Sequence, residues 1–204
     1  MEGSALMPWG GKNRAISIEE MREWENATWA AGIEEEPVMR LAGRAVAECV
    51  SRLTKEGDRV MVLAGKGKNG GDAVYASEYM PERKVELVQI QDPMEVIPRV
   101  KAFEGEAIID GLFGIGLNRP LGEGWAALAE AINANTNIKF KVCVDNPSGL
   151  DCDSGEALGG LAVKCTHTVT FGAMKKGLLN EKAKEFTGQV EVAEEIGLLP
   201  FPFK

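Results

Sequence analysis

Short, largely apolar segments alternate along this chain with longer ones whose apolar residues recur every three or four positions, and few folds accommodate that order. Residues 59–64, 84–90, 107–109, 141–144, 162–171 and 189–193 read as strands. Helices are expected over about 71–80, 93–103 and 124–134, with a long loop after residue 144. Strands apolar throughout need cover on both faces. The pattern therefore predicts an α/β fold, a Rossmann-like three-layer αβα sandwich around a mostly parallel central sheet. Two N-terminal helices precede the sheet. Ser17 and Glu20 form a capping box that opens the first, about 18–31, which Gly32 ends. Pro37 suits the first turn of the second, whose Val38, Leu41, Ala42, Ala45, Val46, Cys49, Val50 and Leu53 share one face. Both helices are expected to pack on one face of the sheet.

The 204 residues suit one domain, with no repeat, low-complexity tract or composition shift to divide them. Residues 1–14 are expected to be poorly ordered. With 23 Lys and Arg against 31 Asp and Glu, the formal charge is −8, and no basic cluster interrupts it. Nucleic acid and anionic membrane are poor partners on those grounds. No apolar run approaches the roughly 18 residues of a membrane span, and the N-terminus has no signal-peptide core, so a cytoplasmic location is expected. Cys49, Cys143, Cys152 and Cys165 contain no C-x-x-C pair and read as buried free thiols. The single histidine, His167, rules out a multi-histidine zinc site and reads as an ordinary strand residue.

Ligands of open α/β sheets bind beyond the carboxyl ends of the strands, which directs attention to three loops. The first, Gly65-Lys66-Gly67-Lys68-Asn69-Gly70-Gly71-Asp72, contains G-x-G-x-x-G between a strand and a helix. Its glycines are expected to turn with positive φ and to let a phosphate approach, with the helix N-terminus supplying N–H groups. Asp72 would repel a pyrophosphate, so either it faces a ribose or nicotinamide hydroxyl or amide, or the ligand is oriented differently. The second loop begins at Asp110 and carries Gly114, Gly116 and Arg119, a pliant backbone with a fixed cation. The third begins at Asp145 and runs through Asn146-Pro147-Ser148-Gly149. It lacks the G-x-S-x-G elbow of a hydrolase, and its Asp151 and Asp153 read as turn residues. Asp110 and Asp145, at neighbouring strand ends, are expected to share one crevice and either raise a pKa or recruit a cation. Asn69, Asp110 and Ser148 offer oxygen ligands for a hard cation.

With these loops in order the chain resembles the YjeF N-terminal domain family, the NAD(P)H-hydrate epimerases. Residues 65–73 are similar to its G-x-G-N-N-G-G-D-G loop, 110–120 to D-x-L-F-G-T-G-L-x-R-P, and 145–155 to V-D-I-P-S-G-L-D-x-D-T-G. Thr170-Phe171-Gly172-Ala173 with Lys175 and Gly177 is similar to T-F-G-A-x-K-x-G, and residues 39–47 to the family's second helix. The chain departs from the pattern at Lys68, Ala73, Asn146 and Arg40-Leu41.

The resemblance implies epimerisation of the C6 hydroxyl of hydrated NADH and NADPH, a small-molecule substrate, in repair of the nicotinamide cofactor. It implies a potassium ion held by Asn69, Asp110 and Ser148. It implies substrate contacts from Lys68, Asn69, Gly70, Gly71 and Asp72, from Gly114, Ile115, Gly116, Leu117, Asn118, Arg119 and Pro120, and from Asp145. A separate dehydratase acting downstream and a homodimer are implied as well. Asp145 is the expected catalytic residue, both protonating the departing hydroxyl and opposing the cation left behind, with crowding by Asp110 raising its pKa; Asp72 is the second choice. Two other readings stand beside this one. A hydride-transferring oxidoreductase would use Glu86 on the ribose, and a non-catalytic scaffold of the same fold would need no chemistry.

Overall fold

The computed structural model describes residues 14–203. The expectation of poor order for residues 1–14 therefore falls, apart from Arg14, outside the described residues. Six parallel strands, β1 (Arg59–Ala64), β2 (Lys84–Gln89), β3 (Ala107–Gly111), β4 (Phe140–Val144), β5 (His167–Phe171) and β6 (Gln189–Ala193), form one sheet in the order β2-β1-β3-β4-β5-β6. The helices are α1 (Ile18–Ala30), α2 (Glu35–Leu53), α3 (Lys68–Glu78), α4 (Pro93–Ala102) and α5 (Glu123–Ala134), with a one-turn helix at Lys184–Thr187.

Side-chain alternation along β1 shows why the sheet is double-faced. Val60, Val62 and Ala64 join α2 and α3 in one apolar layer, while Met61 and Leu63 join α4 and α5 in the other. The chain leaves β1 toward one edge, forms β2, then crosses back to β3 on the other side of β1. That reversal makes the β1/β3 boundary the switch point, where the loops part and a crevice opens.

Two expectations are corrected. Only α2 packs on the sheet face as predicted. α1 instead joins Ile16, Ala173 and the C-terminal Leu198, Leu199, Phe201 and Phe203 in a separate apolar cluster. Its position follows from pairing just ahead of it: Ile16 N–H donates to Met174 O (2.8 Å), Lys176 N–H to Ile16 O (2.9 Å), and Ile18 N–H to Asp153 Oδ1 (2.9 Å). The capping box forms as read, with Ser17 and Glu20 exchanging bonds at the helix start. The fifth strand begins at His167 rather than residue 162. The earlier residues spend their backbone N–H groups outside a ladder, Val163 on Ser148 O and Cys165 on Phe186 O.

Candidate active site

The first loop owes its glycines to close packing. A Cβ on Gly65 would lie 2.2 Å from Leu112 O, and one on Gly70 would lie 1.9 Å from Gly65 O. None of the four glycines in this loop has positive φ, contrary to the expectation from the motif. Gly65, Gly70 and Gly71 bring the loop hard against its neighbours, while Gly67 meets nothing, and α3 starts at Lys68, three residues earlier than predicted. Gly67, at the N-cap, offers no side chain to the first-turn N–H groups, which leaves them for an anionic ligand.

Asp110 ties the second and third loops together. Its Oδ1 accepts from Ser148 Oγ (2.7 Å) and Leu112 N–H (3.2 Å), and its Oδ2 from Ser148 N–H (2.9 Å). Phe113 N–H donates to Ser148 Oγ at 2.9 Å. Asp110 and Ser148 are both buried. Burial pushes the Asp110 carboxyl upward, and the bonds from Ser148 and Leu112 pull it back. Asn69 packs on the same stretch, its Oδ1 lying where a Cβ on Gly114 would come within 2.8 Å. The three residues expected to hold a cation therefore all touch the segment 110–114. The Asn69 Nδ2 is buried without a hydrogen-bond partner.

Asp145 is the one non-glycine residue with positive φ among those described, at 64°. Asn146 N–H donates to Val144 O across it at 2.7 Å, which closes a γ-turn of the rare, strained hand. Such backbone costs about 1–3 kcal/mol and persists only where the surroundings enforce it. Here they do so through Oδ1, which accepts from Lys175 Nζ (2.7 Å), Thr170 Oγ1 (2.9 Å) and Phe171 N–H (3.1 Å). Lys175 is 0% exposed and spends its other two protons on Thr170 Oγ1 (2.9 Å) and Phe171 O (2.7 Å). A fully enclosed ammonium with three acceptors holds the carboxylate in one place, and Oδ2 is the oxygen left for a ligand.

A cavity of about 850 Å³ lies over the strand ends, large enough for a nucleotide. Of the residues expected to bind substrate, Lys68, Asn69, Asp72, Gly114, Ile115, Gly116, Leu117, Asn118, Arg119 and Asp145 line it. Gly70, Gly71 and Pro120 do not: Gly70 packs on Gly65, Gly71 under Met39, and Pro120 against Gly159. Asp110 and Ser148 are absent from the lining as well. The expected crowding of Asp145 by Asp110 is not what the site contains. The carboxyls that feel Asp145 are Asp72 and Glu25, and both are pushed upward, chiefly by burial and next by Asp145. For Asp72 the shift is large; the residue is 8% exposed and makes no hydrogen bond or ion pair among the described residues. Lys68, the departure in the glycine loop, pairs directly with Glu35 and sits 5.9 Å above the Trp29 ring, and its charge also reaches Glu25 and Asp72 through space.

Sequence reasoning gave no role to Lys175, Thr170 or Glu25. A lysine set among Ala173, Met174 and Leu178 is the signal for the first, a cation in a stretch otherwise fit for burial. Glu25 falls between Met21 and Trp29 at helical spacing, an acid on the stripe that faces inward. The readings of the cysteines, His167 and Asp151 hold, whereas the Asp153 carboxylate accepts from Ile18 N–H at the start of α1. The four cysteines are free and buried, His167 is a half-buried strand residue away from the cavity, and Asp151 Oδ1 caps the turn at Asp153 and Ser154.

A parallel sheet with a built cleft at its β1/β3 switch point, floored by a strained and ion-paired carboxylate, defines an α/β protein of the small-ligand-binding class. Comparison with known proteins narrows this further. The family model described as YjeF-related protein N-terminus matches residues 35–100 and 89–177, and the chain belongs to that family. It is 36% identical to an NAD(P)H-hydrate epimerase of Achromobacter xylosoxidans over 79% of this chain and 85% of that one. It is 32% identical to an NAD(P)H-hydrate epimerase of Cenarchaeum symbiosum, over 91% and 96%. A bifunctional NAD(P)H-hydrate repair enzyme Nnr of Gloeobacter violaceus is 33% identical over 89% of this chain, which spans 40% of its length. The crystal structure of the yeast protein ynu0 shares the fold with a TM-score of 0.70 and 21% identity, covering 94% of this chain and 97% of that one.

Proposed function

We infer that this chain epimerises hydrated NADH and NADPH at C6 of the spoiled nicotinamide ring. The relatives that it matches along most of their length carry that activity in their names. The observation that carries the reading is the pairing, in one cavity, of an anchored carboxylate at Asp145 with a nearly buried, unpaired carboxyl at Asp72.

C6 of the hydrate bears a hydroxyl and adjoins the ring nitrogen. Asp72, whose carboxyl is pushed upward by burial and by the neighbouring acids, donates its proton to that hydroxyl. The C6–O bond breaks with its electron pair on the departing water, and the nitrogen lone pair forms C6=N⁺. Asp145, fixed by Lys175 and Thr170, presents negative charge to the cation. Water then adds to the opposite face and loses one proton, which balances the one Asp72 gave, and the centre is inverted. The two tasks first assigned to Asp145 are thus divided, because its Lys175 partner suits an anion and the setting of Asp72 suits an acid. Lys66 and Arg119 on the rim and the first turn of α3 suit the phosphates.

The cation site fits potassium in chemistry. Carboxylate, hydroxyl and amide oxygens are a hard donor set, and the unpartnered Asn69 amide shows a side chain whose orientation no protein hydrogen bond fixes. Asn69, Asp110 and Ser148 would hold the ion, which when bound supplies positive charge beside the buried carboxylate. Against the oxidoreductase reading, Glu86 is spent on Arg99 (2.8 Å) and Arg59 (3.7 Å) and does not line the cavity. The test is incubation with one purified epimer of NADH hydrate and chromatography of both. Rapid equilibration is expected, slowed about 10²–10³-fold in Asp145→Asn, the usual cost of removing one group that stabilises developing charge. An inert wild-type chain would leave the scaffold reading.

A further inference from the structure

Inversion at a ring carbon needs proton transfer on two faces. Hydroxide departs from one side with a proton added, and water arrives on the other with a proton lost. A carboxyl on one wall of a cavity serves only one face of a ring that is held still. Four acids line this cavity: Glu25, Glu35, Asp72 and Asp145. Glu35 is taken by Lys68, and Asp145 Oδ1 by Lys175, Thr170 and Phe171. Asp72 and Glu25 alone make no hydrogen bond or ion pair among the described residues. They come to the cavity from different elements, Asp72 from α3 and Glu25 from α1. The wall carrying Glu25 is itself fixed, by the pairing of Ile16 with the backbone around Lys175 and by Trp24 Nε1, which donates to Leu199 O at 3.0 Å.

We propose that Glu25 is the second proton-transfer residue of the epimerisation, serving the ring face that Asp72 does not reach; this rests on the function inferred above. In one direction Asp72 gives a proton to the leaving hydroxyl while Glu25 takes one from the incoming water. In the reverse direction the roles exchange, so one proton enters, one leaves, and nothing is oxidised. The charges that face Glu25 fit the role. Burial, Asp145 and Glu35 favour its protonated form and Lys68 and Lys175 the ionised one, while Glu25 in turn favours the protonated form of Asp72.

The test uses the full chain, each epimer of NADH hydrate separately, and water enriched in oxygen-18. In Glu25→Gln, inversion is expected to fall about 10²–10⁴-fold. Exchange of label into one starting epimer should persist within about tenfold of wild type, because Asp72 can still expel and re-admit water on its own face. Glu25→Asp should recover part of the inversion, and KM should change little in either variant. A residue that merely shaped the pocket would lower exchange and inversion together or raise KM. Either of those results, or inversion at the wild-type rate in Glu25→Gln, overturns the proposal. A wild-type chain that neither exchanges nor inverts overturns the functional reading itself, and this inference with it.

Discussion

At Lys175 a single methylene chain carries a charge to the floor of the site, and its removal reads out how the strained turn is held. Lys175→Met would leave the Asp145 carboxylate without its ion-pair partner, and a cost of about 3–5 kcal/mol is expected in urea unfolding. Asp72 poses the opposite case, since its carboxyl binds a proton more tightly folded than unfolded. The stability tied to that proton is therefore fully present below the ordinary carboxylate pKa and is lost as pH rises toward the raised folded value. Asp72→Asn removes this dependence. Its thermal midpoint should gain on wild type as pH is raised from mildly acidic to mildly alkaline, while epimerisation falls; a gap independent of pH would contradict the assignment. Asp145 was readable from its strand-end position and Asp72 from the glycine loop, but which one is paired was not. The partner of Asp145 lies thirty residues further on and meets it only through the β4/β5 pairing.

Between elements, the site depends on how closely α3 approaches what surrounds it. A Cβ on Gly43 of α2 would stand 2.6 Å from Tyr75 Cβ, 2.7 Å from Asp72 O and 2.8 Å from Ala76 N. Two of these contacts are helix backbone and cannot yield without moving α3 itself. Gly43→Ala should cost about 1–3 kcal/mol in chemical denaturation and also impair activity, because the helix that shifts carries Asp72. A stability loss with unchanged activity would show that the helix relaxes away from the cavity. Most elements were legible because the apolar period of each is local. The start of α3 was missed because the glycine loop looks like a turn until the second loop packs on it. The path of α1 was missed because its partners, Ala173 and the C-terminal segment, are distant in sequence.

Over the whole molecule, the three oxygen donors come from the helix after β1, the end of β3 and the loop after β4, so an ion bound there would fasten the carboxyl end of the sheet. A ligand that binds only the folded state stabilises it by mass action, about 2.7 kcal/mol at a hundredfold excess over its Kd. The thermal midpoint should thus rise in potassium relative to choline at equal ionic strength, and Asn69→Ala should abolish the difference. Equal midpoints in the two salts for the wild-type chain would remove potassium from the site. Among the described residues no helix is long and apolar enough to cross a membrane.

Taken alone, the sequence determined the layered α/β architecture, the positions of the three ligand-facing loops and the family. Those properties reside in short-range periodicity and in contiguous motifs, which a linear reading captures. The tertiary structure decided which acids meet: it buried Asp110 beneath the loops, locked Asp145 to Lys175, isolated Asp72, and laid α1 with Glu25 across the cavity. Desolvation and ion pairing depend on what surrounds a group in space, and side chains of the same type, at the same kind of strand end, acquire different chemistry from different neighbours.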